Sequence, residues 1–184
     1  MDYNELVAFD YSSVVVLFVY VKDLAKLSVG VDPVSLVASL NAIYKEFDAA
    51  VEMLGAYKVI AIADLYLCVA GAPELDEHRV NRIAETARQI LRVARSRNFF
   101  IGDTPIEVQM GIHVGPVAAG VIGQKSLNFH VFGDTVNIAS RLCSSSLTGR
   151  IQVSEEVATM MRNQNSVFAR FLRYRGCIFL KGKG

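Results

Sequence analysis

Charge of either sign is in short supply in this chain. Nineteen Lys and Arg are set against eighteen Asp and Glu, a formal net charge of +1. That balance leaves no broad basic surface, so nucleic acid is not expected as a partner. The cluster Arg92, Arg95 and Arg97 reads as the solvated face of a helix. Cysteine is scarce too: Cys68, Cys143 and Cys177 lie far apart, without CxxC or zinc-type spacing. This excludes a patterned metal site and suits a reducing compartment, with the thiols expected as buried small hydrophobes. No apolar run approaches the roughly 20 residues that cross a bilayer; the longest is Val14–Val21. The opening Met1-Asp2-Tyr3-Asn4-Glu5 has no basic and apolar leader pattern. No membrane contact is expected of this fragment. Repeats, low-complexity tracts and long linkers are also missing.

What is present is core material. Hydrophobic residues make up 52% and charged residues 20% of 184 positions, which excludes disorder and is enough for one packed domain. The ends, notably Lys181-Gly182-Lys183-Gly184, give the expectation that residues 1–184 are a single domain cut from a larger protein.

Local patterns alternate between strand and helix. Val14–Val21 is a continuous β-branched and aromatic run, expected as a strand buried on both faces. Asp32-Pro33 opens a helix, with Leu36, Leu40, Ile43, Phe47, Val51 and Leu54 on one side and Gly55 as its stop. Tyr57–Ile62 and Leu65–Ala70 form a hairpin around Ala63-Asp64. A second helix is expected over Glu77–Arg97, and a strand over Ile106–Val114. A glycine-punctuated loop over Gly115–Gly123 and a short strand, Phe129–Phe132, follow. Asp134 to about Ser144 reads as a helix. Ile151–Val153 is a strand, and Ser154 caps a helix to about Arg162. Phe168–Tyr174 and Cys177–Leu180 are expected as closing strands. The order β-α-β-β-α-β, with helices on one face, gives an α+β, ferredoxin-like core with additional C-terminal strands and a helix.

The most informative stretch is Val131-Phe132-Gly133-Asp134-Thr135-Val136-Asn137-Ile138-Ala139-Ser140-Arg141. Asn137 and Arg141, four apart on a helix, share a face. An amide and a guanidinium fork suit a ribose and a phosphate, although this spacing alone is usually solvated surface. The surrounding words make it specific. Gly-Asp-Thr-Val-Asn-x-Ala-Ser-Arg resembles the signature of class III adenylate and guanylate cyclases. Val16-Leu17-Phe18, Tyr57-Lys58-Val59, Asp64-x-Tyr66, Gly111-Ile112-His113-Val114-Gly115-Pro116-Val117, Ala119-Gly120-Val121-Ile122-Gly123, Gly149-Arg150-Ile151-Gln152-Val153-Ser154 and the closing Lys181-Gly182-Lys183-Gly184 extend the resemblance over nearly the whole chain.

The resemblance implies the class III cyclase fold and a dimer with composite sites. In those sites a ribose 3′-hydroxyl attacks the α-phosphorus of a purine nucleoside triphosphate, and pyrophosphate leaves. It implies two Mg2+ or Mn2+ ions on two aspartates, and donors where charge grows. Matched position by position, Asp64 is the hairpin-turn metal aspartate. Asn137 is the ribose-orienting asparagine, and Arg141 the α-phosphate arginine. Lys181 is the triphosphate lysine, with Lys183 as the lesser candidate. Tyr20 stands where the first metal aspartate belongs, and a phenol is a poor ligand for a hard dication. Asp23 replaces a turn glycine; as a substitute ligand it lies three residues too far along. Ile60 and His130 occupy the base-reading positions. Ile60 has no hydrogen bond to offer. His130 could serve either purine according to its tautomer, or simply be packed. His113 is expected as structural. Gly115, Gly120 and Gly123 are expected to shape an interface and a loop.

These departures predict a weak or inactive homodimer. The expected partner is a second cyclase domain that supplies both aspartates, in a heterodimer or pseudo-heterodimer, with a homodimer open to the isolated chain. The alternative is an inactive pseudocyclase acting as a dimerisation and regulatory module. The Phe-Gly-Asp-Thr-Val-Asn wording leans toward GTP over ATP. Thiol usage and the need for nucleoside triphosphate place the domain on the cytosolic side, with a membrane-bound parent left open.

Overall fold

A computed structural model describes residues 8–96, 98–122 and 128–179. The chain enters along β1 (Ala8–Val21). Val14 to Val19 and Val21 of this strand are buried, as the apolar run requires of a strand covered on both faces. The short α1 (Leu24–Leu27) leads to α2 (Pro33–Leu54). Asp32 caps α2, its carboxylate accepting from the Ser35 N–H at 2.9 Å, and Pro33 fills the first helical position. The helix stops at Gly55, at φ 70, where the Ala56 N–H returns to the Val51 carbonyl at 3.0 Å.

The hairpin β2 (Tyr57–Ile62) and β3 (Leu65–Ala70) follows, its turn carrying Ala63 at φ 50. α3 (Arg79–Arg95) buries Val80, Ile83, Ala87 and Ile90. A small ribbon, β4 (Phe100–Ile101) with β5 (Thr104–Pro105), precedes β6 (Val108–Ile122). The chain continues through β7 (Asn128–Phe132), α4 (Asp134–Ser144), β8 (Ile151–Val153) and α5 (Glu155–Asn163). A 3-10 turn spans Ala169–Phe171.

The main sheet runs β2-β3-β1-β6-β7, antiparallel throughout, with β8 parallel to β6. Strands β2, β3, β1 and β6, with α2 and α3, make the βαββαβ core. Alternation along β1 divides the interior in two. Val15, Leu17, Val19 and Val21 pack under α2, α3 and α5 with Phe47, Ile83, Ile90 and Val157. Val14, Val16 and Phe18 face the other way, packing with Leu67, Val69, Val131, Ala139 and Cys143. The expected single helical face therefore holds for the core helices, while α4 covers the opposite face.

Two expected elements are different in the structure. Gly115–Ile122 is not a loop but the second half of β6, paired to β1 and β7; Gly123 lies outside the described residues. The closing strands over Phe168–Tyr174 and Cys177–Leu180 do not form among the described residues. The Ser166 hydroxyl takes the Phe168 N–H at 3.3 Å and a 3-10 turn begins, and 172–179 has no ladder partner. Leu180 lies outside the described residues. The thiols also divide: Cys68 and Cys143 are buried, whereas Cys177 is exposed. No helix among the described residues is long and apolar enough to cross a membrane.

Candidate active site

α4 is set by what lies beneath it. Its inward stripe is Thr135, Ala139, Leu142 and Cys143. A Cβ on Gly111 would collide with the backbone of Cys143 and Ala139, and one on Gly115 would lie 2.6 Å from the Thr135 hydroxyl oxygen. The two glycines of β6 thus let the helix ride directly on the sheet. The Thr135 hydroxyl donates to the Pro116 carbonyl at 2.6 Å and fixes the first turn. Burial pushes the Cys143 thiol up to about 12, so it is a packed group rather than a nucleophile.

With that stripe inward, Asn137 is exposed and Arg141 half-buried one turn later. The Nη1 of Arg141 is buried, and no acceptor meets it among the described residues. A buried guanidinium nitrogen without an acceptor is costly unless a ligand supplies one, and phosphoryl oxygen is the chemistry it fits.

Tyr20 ends the same-face row Val16-Phe18-Tyr20 on β1. Its ring meets Phe18 edge-on at 6.1 Å. Its hydroxyl lies 3.1 Å from the Ser140 hydroxyl, on the helix that carries Asn137 and Arg141. Beside it, the Asp64 carbonyl accepts the Val21 N–H at 2.8 Å, and the Ala63 carbonyl accepts the Tyr44 hydroxyl at 2.8 Å. The turn is thereby pinned from both β1 and α2, with Asp64 exposed at its tip. Burial, with the Asp64 charge adding, raises the Tyr44 phenol well above its ordinary value.

These donors do not fit a pair of divalent ions. One exposed carboxylate and one phenol already bonded to Ser140 stand where two carboxylates would be needed. No cluster of three His, Cys, Asp or Glu side chains suited to a metal occurs among the described residues. Asp23 does not substitute. It sits in left-handed backbone at φ 54, its carboxylate 3.6 Å from Lys26 Nζ.

The base-reading positions are not brought together as a polar pair. Ile60 packs into the cluster beneath α4. His130 alternates to the other side of β7 from Phe129 and Val131, its ring 6.1 Å from Phe132. The β2 and β7 edges do approach each other, since the Tyr57 and Phe129 rings lie 5.1 Å apart. His113 is buried, its Nδ1 2.8 Å from the Ser154 hydroxyl that caps α5. Arg88 pairs with Glu85, and Arg95 donates to the Gly149 carbonyl at 2.6 Å. Arg97, Lys181 and Lys183 lie outside the described residues.

Sequence reasoning missed Ser140, Tyr44, Gln152 and Arg175. Ser140 and Gln152 stood inside recognised words. The bonds of Ser140 to Tyr20 and of Arg175 to Ser145 span 120 and 30 residues, and no local pattern announces such links.

A family model described as "Adenylate and Guanylate cyclase catalytic domain" matches residues 6–184. The chain is 37% identical to the membrane guanylyl cyclase of Dictyostelium discoideum over 182 residues, covering 98% of this chain and 12% of that protein. It is 33% identical to guanylate cyclase soluble subunit beta-2 of Rattus norvegicus, covering 98% of this chain and 26% of that protein. It thus spans a minor part of these relatives' length. Among solved structures, the guanylate cyclase domain of RhGC from Catenaria anguillulae, in complex with GTP, superposes with a TM-score of 0.86 at 32% identity, covering 96% of this chain and 93% of that one. On the match of 6–184, the shared fold and the Gly-Asp-Thr-Val-Asn-x-Ala-Ser-Arg helix, this chain belongs to the adenylate and guanylate cyclase catalytic-domain family.

Proposed function

We propose that this domain is one half of a dimeric nucleotidyl cyclase. It presents Asn137, Arg141 and Lys181 to a partner domain that carries both metal-binding aspartates. One pairing carries the reading. The hydroxyl at the first metal position is bonded to Ser140, while the buried Nη1 of Arg141 has no acceptor among the described residues. The half that would hold ions is closed; the half that would meet phosphate is open.

In this reading Arg141 donates to the α-phosphoryl oxygens as charge builds there, and Asn137 orients the ribose so that its 3′-oxygen lies in line. Lys181 meets the terminal phosphates. GTP is the favoured triphosphate, with support from the guanylate cyclase names of the relatives. The rat relative is called a subunit, which supports a two-chain assembly. The domain is a catalytic piece of a longer protein and works on the cytosolic side. A homodimer of this chain has little or no activity, because each site holds Asp64 and no second carboxylate.

A pseudocyclase is the second reading, favoured by Ile60 and its lack of any hydrogen-bonding group. One experiment decides. The domain is mixed with a cyclase domain bearing both aspartates, and cyclic nucleotide is measured with GTP and with ATP. Arg141→Ala should lower kcat by roughly 100-fold or more, the scale of a lost transition-state donor. Activity untouched by Asn137→Ala and Arg141→Ala would make the domain regulatory.

A further inference from the structure

The last turn of α4 is held from outside the helix. Ser145, the residue that caps it, is half-buried, and its N–H donates to the Arg141 carbonyl at 3.0 Å. Its hydroxyl donates to the Arg141 carbonyl at 2.8 Å and accepts from Gln152 Nε2 at 3.0 Å. Its carbonyl accepts from Arg175 Nη1 at 2.7 Å. The same Arg175 nitrogen donates to Gln152 Oε1. Carbonyls in the last turn of a helix have no partner within it, and a cation there also meets the negative end of the helix dipole. Gln152 lies on β8, opposite Gly111 of β6, so its backbone is fixed by the sheet and both ends of its amide are used.

We propose that Arg175 and Gln152 are positioning residues for Arg141. They form a clamp from the C-terminal segment and β8 that sets where the final turn of α4 points its guanidinium. The inference rests on the role of Arg141 proposed above. Nη1 of Arg141 has no acceptor among the described residues, so no bond at that nitrogen competes with the helix turn in placing the guanidinium. That turn is tied at the Arg141 carbonyl through Ser145 to Gln152, and at the Ser145 carbonyl to Arg175. Residues 172–179 have no regular structure, and the long-range bonds that dock them on the described fold come from Arg175.

The test uses the mixed assembly with a domain carrying both aspartates, and hydrogen exchange on this domain alone. Arg175→Met and Gln152→Ala should each lower kcat about tenfold, short of the roughly 100-fold that a misplacement of about 1 Å can cost. The KM for the triphosphate should stay within about twofold. Arg175→Lys should retain most of the rate. Combining Arg175→Met with Arg141→Ala should be no worse than Arg141→Ala alone, since both act through one guanidinium. In the free domain, Arg175→Met should hasten exchange at the Ser145 and Ser146 amides and leave β1 unchanged. Additive losses, or unchanged exchange at those amides, overturn the clamp. A silent Arg175→Met beside a damaging Arg141→Ala sinks the clamp alone, whereas a silent Arg141→Ala sinks the proposed function and takes the clamp's catalytic role with it.

Discussion

The Tyr20 hydroxyl lies 3.1 Å from the Ser140 hydroxyl, and this bond joins the end of β1 to the middle of α4. Where the family resemblance asks for a carboxylate facing a cation, the chain holds two of its own elements together. Tyr20→Phe should therefore cost about 1 kcal/mol in urea unfolding, the usual net worth of such a bond. Tyr20→Asp should do something different. The Asp64 turn is bonded to the neighbouring Val21, so a second carboxylate would arrive beside the first. Mn2+ should raise the melting temperature of Tyr20→Asp and leave the wild type unmoved. Equal shifts in both proteins would refute the account of this position.

Gly111 supports α4 by having no side chain. A methyl group there meets the backbone of Ala139 and Cys143 rather than a side chain that could turn aside. Gly111→Ala should destabilise by about 1–3 kcal/mol, as overpacking does. The urea midpoint should fall with the slope unchanged.

Asp23 has the opposite problem. Its φ of 54 is a conformation that suits glycine. Its 3.6 Å pairing with Lys26 is exposed and worth little. Asp23→Gly should hold or raise stability, by up to about 1 kcal/mol, seen as a melting temperature higher by about 2–4 °C.

Asp76 gives an acid limb to stability. Burial alone would raise its carboxyl, but bonds from the Arg82 guanidinium and the His78 N–H outweigh that and hold it below the usual carboxylate range. A depressed carboxyl stabilises the fold above its unfolded pKa, near 3.8. That stability is lost as pH falls through the lower folded value. Asp76→Asn should be less stable than wild type at neutral pH, and the gap should narrow below about pH 4. Urea midpoints from pH 3 to 7 would measure it; a constant gap would contradict the assignment.

Much of this was legible beforehand because it is local. Asp32-Pro33 and Gly55 bound α2 by their own backbone preferences, and the β2–β3 hairpin follows from two apolar runs around Ala63-Asp64. The glycines of β6 were misread because Gly115 and Gly120 look like chain breakers. The role of Gly115, like that of Gly111, is tertiary, since both make room for a helix that comes later in the chain. Asn137 and Arg141 were legible as a helical pair inside a recognisable phrase. The partner of Tyr20 was not, because nothing near residue 20 points to residue 140. The C-terminal strands failed for a similar reason. Ser166 turns the chain at Phe168, and the side chain of Arg175 docks the segment that follows on the end of α4.

The pairing of β1 with β6 runs from Ala8 opposite Gly120 to Val21 opposite Val108, with one slip of register between Tyr11 and Val14. Mechanically this is a two-plank ribbon with a joint near one end. A slip of that kind bends and twists a strand locally, while the longer plank beyond it, from Val14 onward, stays stiff through its ladder. The bend therefore falls between Tyr11 and Val14, and Tyr20 sits on the unbroken length of ladder beyond it. Through its bond to Ser140, that stiff length is what α4 is moored to.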